Sequence, residues 1–467
     1  MTLIKSISGI RGTIGGVAGE GLSPVDVLRF TSAFAKFIAG SVQKEKIKIV
    51  IGRDARISGP MVSMSVCGAL MAMGADVIDL GLTTTPTVEM AVTDLKADGG
   101  IIITASHNPQ QWNALKLLNH HGEFLDNKTA AEFIRISDQT DFTYKEVTKL
   151  GSYSTDNEAI SRHIDHVLKL PLVDIEAIKS SGFSVAIDAV NSTGGLALVP
   201  LLNALGVKVV NELFCTPNGK FPHNPEPLAE NLQELAQTVV KTKSHVGFAV
   251  DPDVDRLAIV DENGEMFGEE YTLVAVADYI LQHQPGNTVS NLSSTSALRD
   301  VTEKKGGSYF PSAVGEVNVV EVMKAQQAVI GGEGNGGVIY PELHYGRDAL
   351  VGVALFLTHL AKSKMSCSTL RQKYPDYFIS KNKIEVRTEA DILLILEKIK
   401  KKYVRQPINS VDGIRIDFDH EWVHLRKSNT EPIIRIYSES DSMIKAEHLA
   451  QKIIGDIRDI LKIETEE

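Results

Sequence analysis

The sequence predicts an α/β protein: three similar α/β domains with mixed, largely parallel sheets and a smaller C-terminal α+β domain, grouped around a central cleft. Three observations lead there. The chain has 467 residues, too many for a single hydrophobic core. Short apolar runs alternate with segments of helical periodicity in three successive stretches, as βαβ units require. Each stretch ends with an apolar run that passes directly into a polar loop. Ligands of open α/β sheets bind beyond the carboxyl ends of strands, so three such loops could converge on one cleft. Boundaries are expected at 1–150, 151–255, 256–370 and 371–467.

In the first stretch a helix over 23–40 is predicted by Ser23 as its cap, Pro24 in its first turn and Phe30, Phe34, Phe37 and Ile38 on one face before Gly40. Strand 47–51, helix 60–73, strand 75–80, helix 87–95 and strand 100–103 follow. The pattern recurs as strand 184–188, helix 195–205, strand 207–213, helix 230–240 and strand 246–250. The third stretch reads as strand 256–261, helix 270–282, strand 288–292, helix 296–304, helix 317–325 and strand 328–331. From about residue 371 the order becomes strand, helix, strand, strand, helix, which suits an α+β domain.

Composition excludes several classes. With 43% hydrophobic and 23% charged residues the chain is neither disordered nor fibrous. A net charge of −11 gives no basic footprint for nucleic acid, which is not expected as a partner. Cys67, Cys215 and Cys367 are too scattered for a disulfide framework or a zinc cluster. The N-terminal Met1-Thr2-Leu3-Ile4-Lys5-Ser6 lacks the apolar core of a signal peptide, and no run of about 18 apolar residues offers a membrane span. A cytoplasmic monomer or homodimer is the expectation.

Four segments carry chemistry, although each taken alone is also an ordinary polar turn. Thr104-Ala105-Ser106-His107-Asn108-Pro109 sets a hydroxyl beside an imidazole at a strand end, where Pro109 stops regular continuation. Asp251-Pro252-Asp253-Val254-Asp255-Arg256 places three carboxylates at alternate positions. Such charges repel unless a cation joins them, and a hard divalent ion with oxygen ligands fits, Mg²⁺ above all, with a phosphate oxygen completing its shell. A calcium-binding helix–loop–helix does not fit, because Arg256 stands where that loop needs glycine and apolar strands flank the segment. Gly331-Gly332-Glu333-Gly334-Asn335-Gly336-Gly337 combines open backbone with two side chains suited to sugar hydroxyls. Finally, Arg426-Lys427-Ser428-Asn429-Thr430-Glu431-Pro432, with Arg435, gathers donors for phosphate oxygens.

Together these segments resemble the α-D-phosphohexomutase family, whose chains carry a phosphoserine loop, a metal loop, a sugar loop and a phosphate loop in this order. The resemblance covers nearly the whole chain. It includes Ser8-Gly9-Ile10-Arg11-Gly12, Gly52-Arg53-Asp54-Ala55-Arg56, Asn113 and Lys116. It implies that Ser106 carries the phosphoryl group, and that Asp251, Asp253, Asp255 and the Ser106 phosphate hold Mg²⁺. By the same resemblance Arg11, His107, Lys116 and Arg256 surround the transferring group, with Lys116 helping to accept a proton. Glu333 and Asn335 would contact the sugar, while Arg426, Ser428, Asn429, Thr430 and Arg435 would clamp the distal phosphate. Some relatives have His at the position of Gly337 and many have Lys at that of Ala313, so the second proton-transfer group stays open, with His344 a weak candidate.

The implied activity converts a hexose 6-phosphate to its 1-phosphate through phosphoserine and a hexose bisphosphate, which is also the activator. The form of the sugar loop, with Asp412-Gly413-Ile414-Arg415 and Trp422, looks most like phosphoglucosamine mutases, archaeal-type ones included, so glucosamine phosphate is the expected substrate. Phosphomannomutase/phosphoglucomutase activity is the alternative. A phosphatase using the same serine, or a silent sugar-phosphate sensor, are answers of a different class.

Overall fold

The computed structural model describes residues 2–6, 9–139, 141–386, 389–428 and 433–463. The first α/β layer comprises β1 (Ile4–Ser6), β2 (Gly9–Thr13), α1 (Pro24–Val42), β3 (Lys48–Arg53), α2 (Gly59–Ala72), β4 (Asp76–Leu82), α3 (Thr85–Asp94), β5 (Gly99–Ile103), β6 (Trp112–Leu118), α4 (Asn127–Ser137) and β7 (Tyr153–Thr155). The second comprises α5 (Ala159–Leu168), α6 (Ile175–Ser181), β8 (Ser184–Asp188), α7 (Gly194–Ala204), β9 (Val209–Leu213), α8 (Gln233–Thr242), β10 (Val246–Val250) and β11 (Leu257–Asp261). Then come α9 (Tyr271–His283), β12 (Asn287–Asn291), α10 (Ala297–Lys304), β13 (Tyr309–Ser312), α11 (Glu316–Ala325), β14 (Ala328–Glu333), β15 (Gly337–Ile339), α12 (Ala349–Ser363) and α13 (Cys367–Arg371). The last are β16 (Phe378–Glu385), α14 (Glu389–Lys402), β17 (Ile408–Asn409), β18 (Ile414–Asp417), β19 (Trp422–Lys427), β20 (Ile433–Ser440) and α15 (Met443–Ile463).

The chain forms two compact units. One contains residues 1–280 and 335–371, the other 281–334 and 372–467. The residues expected as a third domain are thus divided between them.

In the first unit, helix α1 starts where Ser23 and Asp26 form a reciprocal capping box, with Pro24 at the first helical position. Its buried Phe30, Phe34 and Phe37 join Phe133 of α4 and the inward residues Ile49, Ile51, Ile101, Ile103 and Leu115 of the sheet. The opposite face of that sheet packs Val50 and Ile102 against Val88 and Val92 of α3. Its order is β1-β2-β6-β5-β3-β4-β7. Strands β5, β3, β4 and β7 run parallel, whereas β6 returns antiparallel beside β5. The second sheet, β11-β10-β8-β9, repeats the device, with β8, β9 and β10 parallel and β11 antiparallel to β10. An antiparallel return, β6 after β5 and β11 after β10, therefore bounds both the Ser106 loop and the aspartate loop.

A buried polar cluster ties α3, α5 and the start of α12 together inside this unit. Asp348 caps α12 through the Leu350 amide at 2.7 Å, and its other oxygen meets His163 Nε2 at 2.9 Å and His344 Nε2 at 3.3 Å. Thr87 Oγ1 lies 2.9 Å from His163 Nδ1, and Glu89 lies 3.3 Å from His344 Nδ1.

In the second unit, β12 lies between β13 and β14, all parallel. The C-terminal sheet β16-β20-β19-β18-β17 is wholly antiparallel, with four strands rather than the expected two between its helices. Residues of the Asp412–Arg415 segment, with Trp422, join these two parts of the unit. Arg415 donates to the Leu292 carbonyl at 2.8 Å and lies against the Trp422 ring, whose indole donates to Glu439 at 2.6 Å. Glu439 in turn accepts from the Ser296 amide at 3.0 Å. Buried His424 donates from Nε2 to the Asp412 carbonyl at 2.6 Å, so its Nδ1 accepts from Ser293 at 2.9 Å.

Burial pushes the His424 imidazole down to about 4. Its folded value lies below the ordinary unfolded value of about 6.5, so its contribution is complete above that pH and is lost as pH falls towards 4, by roughly 3 kcal/mol at most. Thermal melts of the wild type between pH 7 and 4 should show this loss, and His424→Gln should start less stable but depend less on pH. An equal slope in the two proteins would contradict the assignment.

Candidate active site

Strand β5 delivers the Ser106 loop at its carboxyl end. Ser106 is buried and has a left-handed backbone, φ +47°, uncommon for a residue with a Cβ. Its Oγ donates to Asp251 at 2.6 Å. His107 Nδ1 lies 3.3 Å from the same Oγ. Burial holds the His107 imidazole well below its usual range, and the nearby Arg256, Arg347 and Arg11 push the same way.

Strand β10 delivers the aspartates. The loop folds over Asp251, whose Oδ1 accepts the amides of Asp255 and Arg256, each at 3.2 Å. Val254, β-branched and buried, sits at φ +64°, a strained conformation that turns the neighbouring carboxylates inward. All three aspartates are 0% exposed, and each offers an oxygen within 4.8 Å of the others'. Lys116 from β6 pairs with Asp253 at 2.6 Å and Asp255 at 3.4 Å. Arg347 donates to Asp255 at 2.7 Å, and Thr85 to Asp253 at 2.5 Å.

Burial and the two neighbouring carboxylates push Asp251 well up. Asp253 is held down despite its burial by the Lys116 ammonium, and that ammonium is stabilised against its own burial by Asp253 and Asp255. The donor set fits a hard divalent cation. Oδ1 of Asp253 and Oδ1 of Asp255 are buried with no hydrogen-bond partner, and carboxylate oxygens are the ligands such ions take. Basic groups adjoin the two loops: half-buried Arg11 on β2 acts on His107, and Arg256 acts on Asp251 and reaches Glu226 at 3.4 Å while its Nε lacks a partner.

Asn335 also belongs to the first unit, where its Oδ1 accepts from the Gly337 amide at 3.2 Å and closes a turn. The glycines beside it serve the protein's own packing. A Cβ on Gly336, φ +83°, would lie 2.3 Å from the Leu257 carbonyl oxygen, and one on Gly337 would lie 2.4 Å from the Arg347 side chain. Gly337 thus makes room for Arg347. His344 is engaged by Glu89 and Asp348 through its two nitrogens.

Glu333, Arg426, Ser428 and Arg435 belong to the second unit. Buried Glu333 accepts from Asn291 at 2.9 Å and from the Gly315 amide at 3.0 Å. Arg426 on β19 stands opposite Arg435 on β20 in the ladder. Like charges directly opposite are unfavourable without an anion between them, and Arg426 Nε is buried with no hydrogen-bond partner. Burial and Arg435 lower the Arg426 pKa, while Asp412 and Glu333 lie close enough to favour its charge. Ser428 is buried, with its amide bonded to the Ile433 carbonyl at 3.0 Å. Asn429 and Thr430 lie outside the described residues. Sequence reasoning missed Arg347, Thr85 and Glu226; all three reach the site from distant segments, and only a three-dimensional arrangement reveals them.

Four family profiles match the sequence in order. They are the phosphoglucomutase/phosphomannomutase alpha/beta/alpha domains I, II and III, over residues 4–144, 161–264 and 268–377, and the C-terminal domain over 383–455. A phosphoglucomutase/phosphomannomutase of Thermococcus kodakarensis is 35% identical over 97% of this chain and 99% of its own. A protein of Methanopyrus kandleri named "Probable phosphoglucosamine mutase" is 30% identical, covering 97% of each chain. The crystal structure of a phosphoglucomutase/phosphomannomutase family protein from Burkholderia thailandensis superposes with a TM-score of 0.83 at 25% identity, covering 98% of both chains. The chain belongs to the phosphoglucomutase/phosphomannomutase family.

A divalent cation at the aspartates should stabilise the fold. At about 100 times its dissociation constant, Mg²⁺ should add about 2.7 kcal/mol, read as a rise in melting temperature. Asp253→Asn should weaken Mg²⁺ binding by at least about tenfold, since it removes one of three charged ligands. Equal Mg²⁺ titrations of wild type and variant would contradict this cation site.

Proposed function

We propose that the protein is a phosphohexomutase that interconverts the 6- and 1-phosphates of a hexose through phospho-Ser106. The observation that carries the reading is the 2.6 Å approach of Ser106 Oγ to Asp251, which sets a nucleophilic hydroxyl against the acidic loop. In the first half-reaction the free hydroxyl of a hexose monophosphate attacks the Ser106 phosphoryl group. A new phosphorus–oxygen bond forms as the bond to Ser106 breaks, and the proton given up by the sugar hydroxyl ends on Ser106 Oγ. The resulting bisphosphate turns over, and its other phosphoryl group returns to Ser106, leaving the isomeric monophosphate.

Phosphoryl transfer demands positioning and charge neutralisation more than covalent help. Arg11, Arg256, Lys116 and Arg347 supply positive charge around the transferring group. Lys116, bound as an ammonium by two carboxylates, enters this reading as a cation rather than as the expected proton acceptor. Asp251, Asp253 and Asp255, with an oxygen of phospho-Ser106, are the residues that would hold Mg²⁺, and the ion would supply Lewis-acid polarisation of that phosphoryl group. The Arg426–Arg435 pair and Ser428 grip the phosphate that does not react, and Asn429 and Thr430 are assigned to the same grip from the sequence. Glu333 and Asn335 read the sugar.

Glucosamine phosphate is the preferred substrate in this reading. A C2 ammonium gains more from a nearby carboxylate than a hydroxyl does, and the name of the Methanopyrus kandleri relative points the same way. Glucose or mannose phosphate is the second reading, supported by the name of the Thermococcus kodakarensis relative.

The test combines purified protein, Mg²⁺, a hexose 1-phosphate and a trace of hexose bisphosphate. Formation of the 6-phosphate is expected. Release of inorganic phosphate would indicate a phosphatase, and no turnover a sensor. Among sugars, glucosamine phosphate should give the highest kcat/KM. An advantage of about tenfold for glucose or mannose phosphate, roughly 1.4 kcal/mol, would replace the sugar assignment and leave the reaction class intact.

A further inference from the structure

We infer that Arg56 is a positioning residue, whose guanidinium holds the Ser106 loop in the conformation that aims Oγ at the aspartates. The consequence for turnover rests on the mutase reading; the loop geometry does not.

Arg56 follows β3 in the turn before α2 and is 0% exposed. A guanidinium has five N–H donors in a planar fork, and here each has an acceptor. Nε donates to Asp54 at 3.0 Å. Nη1 donates to the carbonyls of Pro109 and Trp112 at 2.8 and 2.9 Å. Nη2 donates to the carbonyls of Ser106 and Asn108 at 2.5 and 2.6 Å. Four of the five acceptors therefore belong to one short segment, 106–112, which has no regular ladder partner before β6 begins at Trp112. A surface loop usually gives such carbonyls to water. Here they converge on one buried cation.

The same pair controls the other side of Ser106. Asp54 accepts from Thr104 Oγ1 at 2.7 Å, and Thr104 Oγ1 accepts from the Ser106 amide at 2.9 Å. Asp54 also bonds the Arg56 amide at 3.0 Å, and its own amide is tied to the Ile103 carbonyl at 3.2 Å. Ser106 is thus fixed through its N–H by Thr104 and through its C=O by Arg56, both referred to one carboxylate just past the end of β3, the strand that pairs with β5.

This arrangement explains how a serine keeps φ +47°. A left-handed backbone is unfavourable for a residue with a Cβ, and it persists where surrounding bonds over-determine it. Without the clamp the loop would relax towards right-handed or extended conformations, and Oγ would swing off its 2.6 Å contact with Asp251. Arg56 itself touches none of the reacting atoms in this assignment. Its effect passes through the loop backbone.

Two variants test the inference. Arg56→Lys keeps the charge but offers three donors without the planar fork. It should lower kcat about 100-fold, the cost of misplacing a reacting group by about an ångström, with KM within about twofold because the Arg426 grip is untouched. Thr104→Val removes the Ser106 amide's acceptor at almost constant volume and should lower kcat about tenfold, again with little change in KM. If Arg56→Lys does not fold, Thr104→Val alone decides. Amide hydrogen exchange gives a readout that needs no turnover: protection across 104–112 should fall in both variants while that of β10 and β11 stays as in the wild type. Folded variants with wild-type kcat, or with unchanged exchange in 104–112, would overturn the inference. A wild type that shows no mutase turnover would instead remove the mutase reading, and the exchange comparison would still decide the role of Arg56.

Discussion

The first unit depends on the burial of three carboxylates at one point. Asp251, Asp253 and Asp255 are fully buried, and unpaired charge in a protein interior is costly enough that it must be neutralised, paired or metal-bound. The surroundings are organised by that requirement. Lys116 comes from β6 and Arg347 from the turn before α12, while Thr85 donates from the start of α3. Val254 accepts a positive φ so that the loop can fold back on Asp251. Two carboxylate oxygens still lack partners after all this, and a cation is the group that would complete them. A phosphoserine brought to such a cation would meet the charge that phosphoryl transfer needs, which joins the fold to the proposed reaction.

The second unit poses the opposite electrostatic problem. Arg426 and Arg435 face each other across two antiparallel strands, and Arg426 keeps an unused buried donor. A phosphate is the kind of anion that such a guanidinium pair would take. Glu333, meanwhile, is bound to Asn291 and to the Gly315 amide, so a sugar hydroxyl would share or displace existing hydrogen bonds there.

Much of this was legible in the sequence because the relevant signals are local. The cap of α1, the strands 184–188 and 246–250 and the alternating aspartates need only neighbours along the chain. What escaped was non-local. Helix α12 is buried around most of its circumference, so no polar face sets its apolar run apart as a helix. Strand β6 runs antiparallel where alternation suggested parallel units, and its pairing with β5 is set by the turn that Arg56 gathers. Arg56 itself lay in a segment noted only for its resemblance to the family. Its function is a set of backbone carbonyls fifty residues away, which no spacing rule encodes. The Asp412–Arg415 segment and Trp422, linked in the sequence to sugar choice, prove to join two parts of the second unit.

The most direct measurement follows one phosphoryl group. Protein carrying isotopically labelled phosphate on Ser106, located by peptide mass spectrometry, is mixed with unlabelled hexose monophosphate and Mg²⁺ and quenched within a single turnover. The account predicts that label leaves Ser106 and appears in hexose bisphosphate and then monophosphate at the rate of turnover, while Ser106→Ala takes up no label and forms no product. Label that stays on the protein while product accumulates, or that appears only as inorganic phosphate, would contradict it.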